Sequence, residues 1–562
     1  MGNKKIWASL HPFFEQGAVL GRREANRRFL AALIDAEFFG EYHFFLSHPD
    51  DCARLQEELG DVYPGLMKEG RFTLALQRNF AEALQRYGYY CLHLSDPVLF
   101  FTAAICLRNV FSRRVFPVTA PTHSLSYADY GENFLNHLWG GVTARDAVVG
   151  TSACGCQVMR SYYSRLRQAY GLDEKNFNAP SVRHIPLGVD PRLMPSPDEK
   201  DSLGGQCRRR YNLGDGTVFL VFARISHQSK MDLLPLLRAC KRAEEAGLRP
   251  ESYCLALAGW IDENDDFEKD ILRLAANLGV CCRLIPRPDA AARKALYAAA
   301  DIFLSPSDNL QETFGLTLLE AGLSSLPVVA SSFDGYRDLV DDGENGILVS
   351  VVGPAKTRDT DCLARIVPAA EYHLLLAQQC AVDVRAFGEA MYRLAADSAL
   401  RLKMGRAGRR RVLAGYTWRH IVDRYLALWA ELNETPCGLP DEIAARPHSA
   451  TRHPAYPSYM DIFSGYYTAQ VDAPVIQDKR LVWSKAGRAV YRRADFPVIY
   501  RLTERRIKPE TLHKVLFAAR RPITVAALRG VCRDLSPGGD TPEDEDFVLL
   551  WALKHDLLEF SG

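Results

Sequence analysis

The stretch SPSDNLQETFGLTLLEAG, residues 305–322, decides the fold. The run before it, DIFL at residues 301–304, predicts a buried parallel strand. Ser-Pro-Ser-Asp-Asn is a turn signal, and residues 312–321 then have the composition of a helix. A strand, loop and helix in this order present backbone N–H groups and the positive end of a helix dipole to an anion above the strand's carboxyl end. The stretch therefore predicts an anion-binding loop in an α/β fold.

Two carboxylates, Glu312 and Glu320, lie eight positions apart in this stretch. On a helix, eight residues give about 12 Å of rise and slightly more than two turns. This places Glu312 at the mouth of the predicted helix and Glu320 deeper on nearly the same face. The spacing suits contact with two ends of one elongated ligand. The alternative is a solvated helix with two unrelated glutamates.

Glu-Thr-Phe-Gly-Leu-Thr-Leu-Leu-Glu, followed by Ala-Gly-Leu-Ser-Ser-Leu-Pro-Val-Val-Ala-Ser, resembles the retaining GT-B glycosyltransferases of family four, the glycosyl transferases group 1. The resemblance implies an α/β, GT-B fold, with two Rossmann-like doubly wound domains facing a cleft. It also implies that Glu312 contacts hydroxyls of a donor sugar and that Glu320 contacts the nucleotide ribose. The backbone amides around Phe314, Gly315 and Leu316 would then cap the donor diphosphate.

Two cations follow the apolar strand predicted over residues 218–223. Arg224 and Lys230 are six positions apart, and the segment resembles the family's Gly-Arg-Leu-Ser-x-x-Lys-Gly, with Ala223 and Met231 in place of the glycines. A planar guanidinium and a compact ammonium can hold a diphosphate from two sides. By resemblance, these cations neutralise the leaving nucleoside diphosphate. Arg287, after the strand predicted at 282–285, falls where the family holds the nucleobase.

The first half of the chain contains a loop and a histidine that are candidates for the donor site. Residues 5–10 predict a first strand, and Gly17 and Gly21 lie in the loop before a predicted helix at 22–34. The family has a glycine-rich loop here that faces the donor diphosphate, and a plain turn is the alternative for either glycine. His123 follows the strand predicted at 114–119, where a histidine of the family reaches the donor sugar or phosphate.

The helix predicted at 22–34 carries four arginines opposite an apolar face. A basic amphipathic helix can rest on an anionic membrane surface, and a solvated face is the alternative. The net charge of +1 argues against binding of nucleic acid by the whole chain. Contact with a membrane therefore remains open, and nucleic acid is not indicated as a partner.

Composition is that of a globular enzyme in a reducing compartment. Of 562 residues, 48% are hydrophobic and 24% are charged, and this length predicts about three domains. The N-terminus lacks the features of a signal peptide, and the most apolar stretch, residues 97–107, is too short to span a bilayer. The 14 cysteines are scattered without a Cys-x-x-Cys pair. We expect a cytoplasmic location, with peripheral contact at the inner membrane surface left open.

The predicted domains are 1–200, the N-terminal Rossmann-like domain on the acceptor side, and 213–415, the C-terminal domain that binds the nucleotide sugar. A linker is predicted at 195–216, and residues 416–433 predict a helix that crosses back to the first domain. Residues 434–562 lie outside the resemblance and predict a linker and a small, mainly helical or winged-helix-like module. Between residues 479 and 533 this module carries fifteen Lys or Arg and three acids, whereas residues 534–559 carry eight acids and one Lys. It either binds a peptide, nucleic acid or membrane, or only buttresses the enzyme with its charges neutralising each other.

Taken together, the resemblance implies a retaining, hexosyltransferase-type glycosyltransferase that moves a sugar from a nucleoside-diphosphate sugar. The acceptor is left open among a glycan, a lipid-linked sugar, a peptide and a small molecule. We expect no cofactor and no metal site, because the acidic run at residues 262–266 fits helix capping and this family generally has no Asp-x-Asp metal site. The alternatives are a sugar-nucleotide 2-epimerase or hydrolase on the same fold, and a non-catalytic GT-B scaffold that acts through its C-terminal module.

Overall fold

The computed structural model describes residues 4–14, 21–261, 266–438, 442–443, 453–500, 503–504, 506–534 and 542–561. The chain forms two compact units, Met1–Ala455 and Tyr456–Gly562. The first unit contains two lobes, each built on a parallel sheet. Among the described residues, no helix combines the length and the hydropathy needed to cross a bilayer.

In the described part of the N-terminal lobe, seven parallel strands pair in the order β3-β2-β1-β4-β5-β6-β7. The strands are β1 (Ile6–Ser9), β2 (Glu41–Leu46), β3 (Phe72–Leu76), β4 (Cys91–His93), β5 (Val118–Pro121), β6 (Ala147–Gly150) and β7 (Ser181–His184). The helices are α1 (Gly21–Asp35), α2 (Pro49–Val62), α3 (Pro64–Lys68), α4 (Phe80–Arg86), α5 (Phe101–Phe111), α6 (Tyr130–Leu135) and α7 (Ala153–Tyr170).

The segment between the lobes is a helix, α8 (Pro197–Tyr211), so the linker predicted at 195–216 is wrong. Ser196 and Glu199 form a capping box, in which each side chain accepts a hydrogen bond from the other residue's backbone N–H. Gly204 faces the next lobe so closely that an added Cβ would lie 2.8 Å from the carbonyl oxygen of Ala298. The capping residues and this packing explain why a stretch rich in polar residues and glycine is helical.

The C-terminal lobe repeats the plan, with described strands in the order β10-β9-β8-β11-β12-β13. The strands are β8 (Thr217–Ile225), β9 (Tyr253–Ile261), β10 (Cys282–Pro286), β11 (Ile302–Ser305), β12 (Val328–Ser331) and β13 (Gly346–Val349). The helices among and after them are α9 (Leu234–Glu245), α10 (Phe267–Leu278), α11 (Ala290–Ala299), α12 (Leu316–Leu323) and α13 (Tyr336–Leu339).

After β13 the chain makes an excursion and then returns to the lobe. The excursion, residues 351–382, contains β14 (Val351–Val352), α14 (Arg358–Asp361), α15 (Ala369–Ala377) and β15 (Ala381–Val382). The chain continues into α16 (Val384–Ala396) and α17 (Ser398–Gly415). The helix predicted to cross back is α18 (Trp418–Glu434), where the Trp429 indole donates to the Thr119 hydroxyl at 2.9 Å.

Both sheets have the same reason to form. Their strands are continuous apolar runs, as in residues 218–221 and 254–258, which suits strands covered by helices on both faces. In both lobes the order of the strands reverses beside the first strand, between β1 and β4 and between β8 and β11. In doubly wound sheets, ligands bind outside the carboxyl ends of the strands at such a reversal. This confirms the predicted GT-B fold class and indicates where the site lies.

The second unit is mainly helical, as predicted, with a small antiparallel sheet. The sheet has the order β17-β16-β18, with β16 (Arg480–Trp483), β17 (Ile523–Thr524) and β18 (Leu558–Phe560). The helices are α19 (Tyr459–Phe463), α20 (Pro474–Gln477), α21 (Lys485–Tyr491), α22 (Pro509–Ala518), α23 (Val525–Asp534) and α24 (Pro542–Lys554). The unit has a hydrophobic core of its own, which includes Leu481, Val515, Leu528 and Leu549.

Candidate active site

Glu312 is the centre of a buried polar cluster at the carboxyl end of β11. The ammonium of Lys230 and the hydroxyl of Tyr336 both donate to its Oε2, the latter at 3.0 Å. Its Oε1 accepts from the amides of Thr313 and Phe314 at 3.2 and 3.3 Å. Burial alone would raise the pKa of Glu312, but the charge and hydrogen bond of Lys230, with the bonds from Phe314 and Tyr336, hold it below its usual value. Glu312 is therefore an ionised hydrogen-bond acceptor.

Glu312 does not lie on the helix of Glu320, so the predicted helix at 312–321 is wrong in its first turn. Helix α12 begins at Leu316, and its N-cap residue Gly315 has φ of 104°. Glu312 lies in the preceding loop, where its N–H donates to the Asn309 carbonyl. The left-handed glycine stops the helix from extending backward, and the Phe314 amide before it donates to Glu312. Phe314, Gly315 and Leu316 lie at this turn, where their amides were predicted to cap a diphosphate.

We expect Gly315→Ala to destabilise the protein strongly. A Cβ there would lie 2.6 Å from the ring of Tyr336, which is fully buried and hydrogen-bonded to Ser305 at 2.7 Å. Added to the strain of φ at 104°, this clash should lower the free energy of unfolding by about 3 kcal/mol, measured by urea denaturation. Gly343→Ala is the control, because Gly343 has φ of 78° but open space around it. Equal losses in the two variants would contradict the packing argument.

Glu320 lies on α12 and is held by the helix beside it. The guanidinium of Arg293 donates to its Oε1, and the hydroxyl of Tyr297 donates to its Oε2 at 2.9 Å. Arg293 in turn lies over the ring of Phe222, 5.3 Å from its centroid. Residues of β8, α11 and α12 thus fix one carboxylate at the second end of the site, although Glu320 and Glu312 do not share one continuous helical face.

The two predicted cations both follow β8 but have different surroundings. Arg224 is half-buried near the end of the strand, and it has no ion-pair or hydrogen-bond partner for its side chain among the described residues. Lys230 lies in the next loop, where its N–H donates to the Ser226 carbonyl and its ammonium pairs with Glu312. The structure therefore brings Lys230 and Glu312 together, whereas the side chain of Arg224 has no carboxylate partner among the described residues.

His123 lies on the N-terminal lobe, directly after β5. Its Nε2 donates to the carbonyl of Ser95, which follows β4, at 2.9 Å. The next residue, Ser124, donates its hydroxyl to the carbonyl of Gln311 at 2.9 Å. Because Gln311 precedes Glu312, this bond holds the His123 loop against the loop that carries Glu312.

The remaining predicted donor-binding residues divide into three cases. Gly17 lies outside the described residues. Gly21 is the first residue of α1, and no atom lies within 4 Å of a Cβ added there. Arg287 has φ of 48°, lies over the ring of Trp260 at 4.9 Å and donates to the carbonyl of Ile261 at 3.1 Å. Arg287 is thus tied to the end of β9, next to the position predicted for the base.

Sequence reasoning missed two groups that fasten the lobes together on either side of Glu312. On one side, Asp334 accepts from the Ser152 hydroxyl at 3.1 Å, and Asp338 accepts from the Ala153 N–H at 2.7 Å. On the other side, fully buried His373 of α15 lies 2.9 Å from both the Ser126 hydroxyl and the Gln311 amide. Asp334, Tyr336 and Asp338 share the segment Asp-Gly-Tyr-Arg-Asp, which the sequence shows, whereas nothing in the sequence marked His373.

Asp308 is a third residue that the sequence did not single out. Burial, aided by the charge of Asp232, raises its pKa to about 8, although it accepts a hydrogen bond from the Asp232 N–H at 3.2 Å. Asp232 belongs to the loop that carries Lys230. The protonated Asp308 therefore supports the backbone next to Lys230 without adding a second negative charge beside Glu312.

The raised pKa of Asp308 predicts how stability depends on pH. Between the unfolded value near 3.8 and the folded value near 8, the folded protein keeps this proton while the unfolded chain loses it. Stability is therefore complete below this window and falls as pH rises through it, by up to about 1.4 kcal/mol per pH unit. We expect Asp308→Asn to remove this slope in urea unfolding between pH 5.5 and 8. Exposed Asp359→Asn is the control, and an unchanged slope in Asp308→Asn would contradict the assignment.

Within the part of the chain that the structure describes, no three His, Cys, Asp or Glu side chains are grouped so that they could hold a metal ion. The acidic run at 262–266 is described only at Asp266, which pairs with Lys269 at 2.6 Å. Among the described residues, the charged group that contacts Glu312 is the ammonium of Lys230, and Arg224 lies near the end of β8. The site is therefore a cleft with cations on the side of the C-terminal lobe and a histidine on the N-terminal side.

Comparison with known proteins agrees with this architecture. Residues 208–356 match the family model described as glycosyl transferases group 1. A D-inositol 3-phosphate glycosyltransferase of Salinispora arenicola is 31% identical over 211 residues, which are 37% of this chain and 46% of that protein. A GDP-mannose-dependent alpha-(1-6)-phosphatidylinositol monomannoside mannosyltransferase of Mycolicibacterium smegmatis is 28% identical over 47% of this chain and 58% of that protein. The chain thus spans about half the length of the curated relatives it matches.

A solved glycosyltransferase from Rickettsia africae covers 77% of this chain and 100% of its own, with a TM-score of 0.51 and 14% identity. At this identity the likeness concerns the fold alone. Residues 208–356, which include most of the C-terminal lobe, are thus similar to the glycosyl transferases group 1 family. The matched segment contains Arg224, Lys230, Glu312 and Glu320. The predicted resemblance to this family is therefore confirmed over the segment that holds these candidate site residues.

Proposed function

We propose that this protein is a retaining glycosyltransferase that moves a sugar from a nucleoside-diphosphate sugar to an acceptor hydroxyl. The observation that carries the proposal is the cluster around Glu312, where a lysine, a tyrosine and two amides hold one ionised carboxylate in a cleft between two Rossmann-like lobes. The four donors occupy the lone-pair sites of this carboxylate in the free protein, so a sugar hydroxyl would bind Glu312 in place of one of them. Glu312 would orient the donor sugar.

The donor diphosphate would lie between Arg224, Lys230 and the first turn of α12. Arg224 has no anionic partner among the described residues, and the amides at the start of α12 carry the positive end of a helix dipole. Negative charge grows on the leaving phosphate as the glycosidic bond breaks, and fixed positive groups stabilise that charge more in the transition state than in the ground state. These groups fill the role that a divalent cation fills elsewhere, and we propose transfer without a metal or other cofactor.

Glu320 would accept hydrogen bonds from the ribose of the donor nucleotide. Arg293 and Tyr297 keep this carboxylate in place, so it need not reorganise when the nucleotide binds. The base would lie near Trp260 and Arg287 at the ends of β9 and β10. The identity of the base and of the sugar stays open. A relative acts with GDP-mannose by its name, and we extend only the class of donor to this chain.

The acceptor would approach from the N-terminal lobe, past His123. We propose a front-face displacement, in which the leaving phosphate takes the acceptor proton; this route needs no second catalytic carboxylate of the glycosidase type. A glycan, a lipid-linked sugar, a peptide and a small molecule all remain candidate acceptors. We further propose a cytoplasmic setting, which the free cysteines of the described chain support.

Two alternatives give different products. A 2-epimerase or hydrolase on this fold would consume the donor in the absence of an acceptor. A non-catalytic scaffold would not consume the donor at all. The pairing of Lys230 with Glu312 and the open position of Arg224 favour a working donor site over a scaffold. No feature of the described cleft favours the epimerase.

Proton NMR on the intact protein separates these functions. The protein is incubated with UDP-, GDP- and ADP-hexoses, with and without inositol, glycerol and simple glycosides as acceptors. A new glycoside with the donor's anomeric configuration is the expected result. Free sugar alone indicates a hydrolase, and a C2-inverted sugar indicates an epimerase. Either result, an inverted glycoside, or no consumption of any donor contradicts the proposal.

A further inference from the structure

The C-terminal unit carries a basic stripe beside an exposed apolar segment. On α21, Lys485 and Arg488 are three residues apart, and Arg492 follows four residues later, so the three lie along one side of the helix. All three are exposed, as is Arg493 after them. None of these four cations has an ion-pair partner among the described residues.

The apolar segment follows the stripe directly in the chain. Phe496, Val498 and Tyr500 are 75%, 57% and 65% exposed, whereas Ile499 packs against the core of the unit. Alternation of this kind places the three exposed side chains on the outer side of an extended segment. Large apolar side chains exposed together on a soluble unit mark an interaction surface, whereas single exposed ones do not.

Aromatic and cationic groups extend this surface onto α22. The ring of Tyr491 stacks on His513 at 4.2 Å and on Phe517 at 5.9 Å, and the guanidinium of Arg520 lies 3.8 Å over Phe517. Phe517 is itself exposed. Together with residues 485–500 these side chains form one surface, which we call the 485–520 surface.

Charge neutralisation within the unit does not account for these cations. Asp546 of α24 pairs with Arg529 of α23 at 2.5 Å. The expectation that the basic and acidic stretches neutralise each other therefore holds for Arg529, whereas Lys485, Arg488, Arg492 and Arg493 have no ion-pair partner among the described residues. Their positive charge is complementary to an anionic partner.

The shape of the surface distinguishes among anionic partners. Duplex nucleic acid is read by a helix that enters a groove, whereas Phe496, Val498 and Tyr500 lie after helix α21 and outside the described helices. Aromatic and aliphatic side chains beside arginines instead match the boundary of an anionic bilayer. There, rings lie among the headgroups and cations face lipid phosphates.

We propose that the C-terminal unit attaches the protein to an anionic membrane surface through the 485–520 surface. Phe496, Val498 and Tyr500 enter the headgroup region, while Lys485, Arg488, Arg492 and Arg493 contact anionic lipids. Helix α1 is less suited to this role, since Arg22 pairs with Asp96, Arg27 lies over Phe14 and Arg28 pairs with Glu24. The inference does not depend on the chemistry proposed for the cleft.

Cosedimentation of the full chain with vesicles tests this proposal. We expect binding to vesicles of phosphatidylcholine with 30% phosphatidylglycerol, weak binding to phosphatidylcholine alone, and loss of binding in 0.5 M NaCl. Two variants are compared, Arg488→Gln/Arg492→Gln/Arg493→Gln and Phe496→Ser/Val498→Ser/Tyr500→Ser. Each should lower the vesicle affinity by about tenfold or more, as expected for the loss of several interfacial contacts.

Leu550→Ser and Lys554→Gln are the controls, because both residues are exposed on α24 and neither is among the residues that define the surface. They should bind as the wild type does, and all substituted positions are exposed, so thermal unfolding midpoints should not change. Absence of wild-type binding to anionic vesicles would overturn the proposal, as would unchanged binding in both surface variants. Light scattering without lipid is also measured, and a change from dimer to monomer in the surface variants would assign the surface to a second copy of the chain instead.

Discussion

Glu312→Gln should lower the rate of sugar transfer by about 100- to 1,000-fold while the protein remains folded. Glutamine keeps the shape of the side chain, but its single carbonyl oxygen can accept either from Tyr336 or from the two amides and not from both. It loses the negative charge that pairs with Lys230 and that orients hydroxyl groups of the donor. Transfer is measured as nucleoside diphosphate released at saturating donor and acceptor, so that the loss appears in kcat.

Tyr336→Phe is the matched control for Glu312→Gln. It removes one hydrogen bond from the same carboxylate and leaves the charge in place, so we expect a loss of only about tenfold. A Glu312→Gln protein that is folded by circular dichroism and keeps more than a third of the wild-type kcat would remove Glu312 from the catalytic site.

Arg224→Ala should lower kcat by about 100-fold with no loss of stability. The guanidinium has no ion-pair or hydrogen-bond partner among the described residues, so its removal breaks no such bond there, whereas the leaving diphosphate would lose a fixed positive charge. The unfolding midpoint and the rate are measured on the same sample. This combination separates Arg224 from Lys230, whose removal would leave the buried Glu312 without its counter-charge.

Arg224→Lys is the control, because it restores the charge without the planar fork, and we expect it to recover part of the lost rate. Destabilisation of Arg224→Ala by more than about 1 kcal/mol would indicate a structural role for the guanidinium. Wild-type kcat in that variant would contradict its placement at the diphosphate.

The sheets were predictable because parallel strands covered on both faces read as apolar runs. The strand predicted at 301–304 is β11 at Ile302–Ser305, and the strand predicted at 218–223 lies within β8 at Thr217–Ile225. The predicted helix begins at residue 312, whereas α12 begins at Leu316, because composition does not reveal that Gly315 takes a left-handed φ. The conformation of that residue depends on the packed ring of Tyr336, which arrives from 21 positions further along the chain.

The site was only partly predictable. The sequence motifs identified two carboxylates and two cations as candidate site residues. They could not show that Lys230 pairs with Glu312, because the loops that carry these residues meet only after the sheet has formed. Nor could local patterns reveal His373, because the role of this residue depends on its hydrogen bonds to Ser126 of the other lobe and to Gln311. Contacts between lobes are set by tertiary packing, and one sequence carries little signal for them.

The most direct test of the central claim is calorimetric titration of UDP, GDP and ADP into the wild-type protein and into Glu320→Gln. The account predicts that one nucleoside diphosphate binds the wild type, and that at 100-fold excess over Kd it stabilises the fold by about 3 kcal/mol. It further predicts that Glu320→Gln binds that nucleotide at least tenfold more weakly, because the ribose loses a fixed acceptor. If no nucleotide binds, or if the variant binds as tightly as the wild type, the cleft is not the donor site described here.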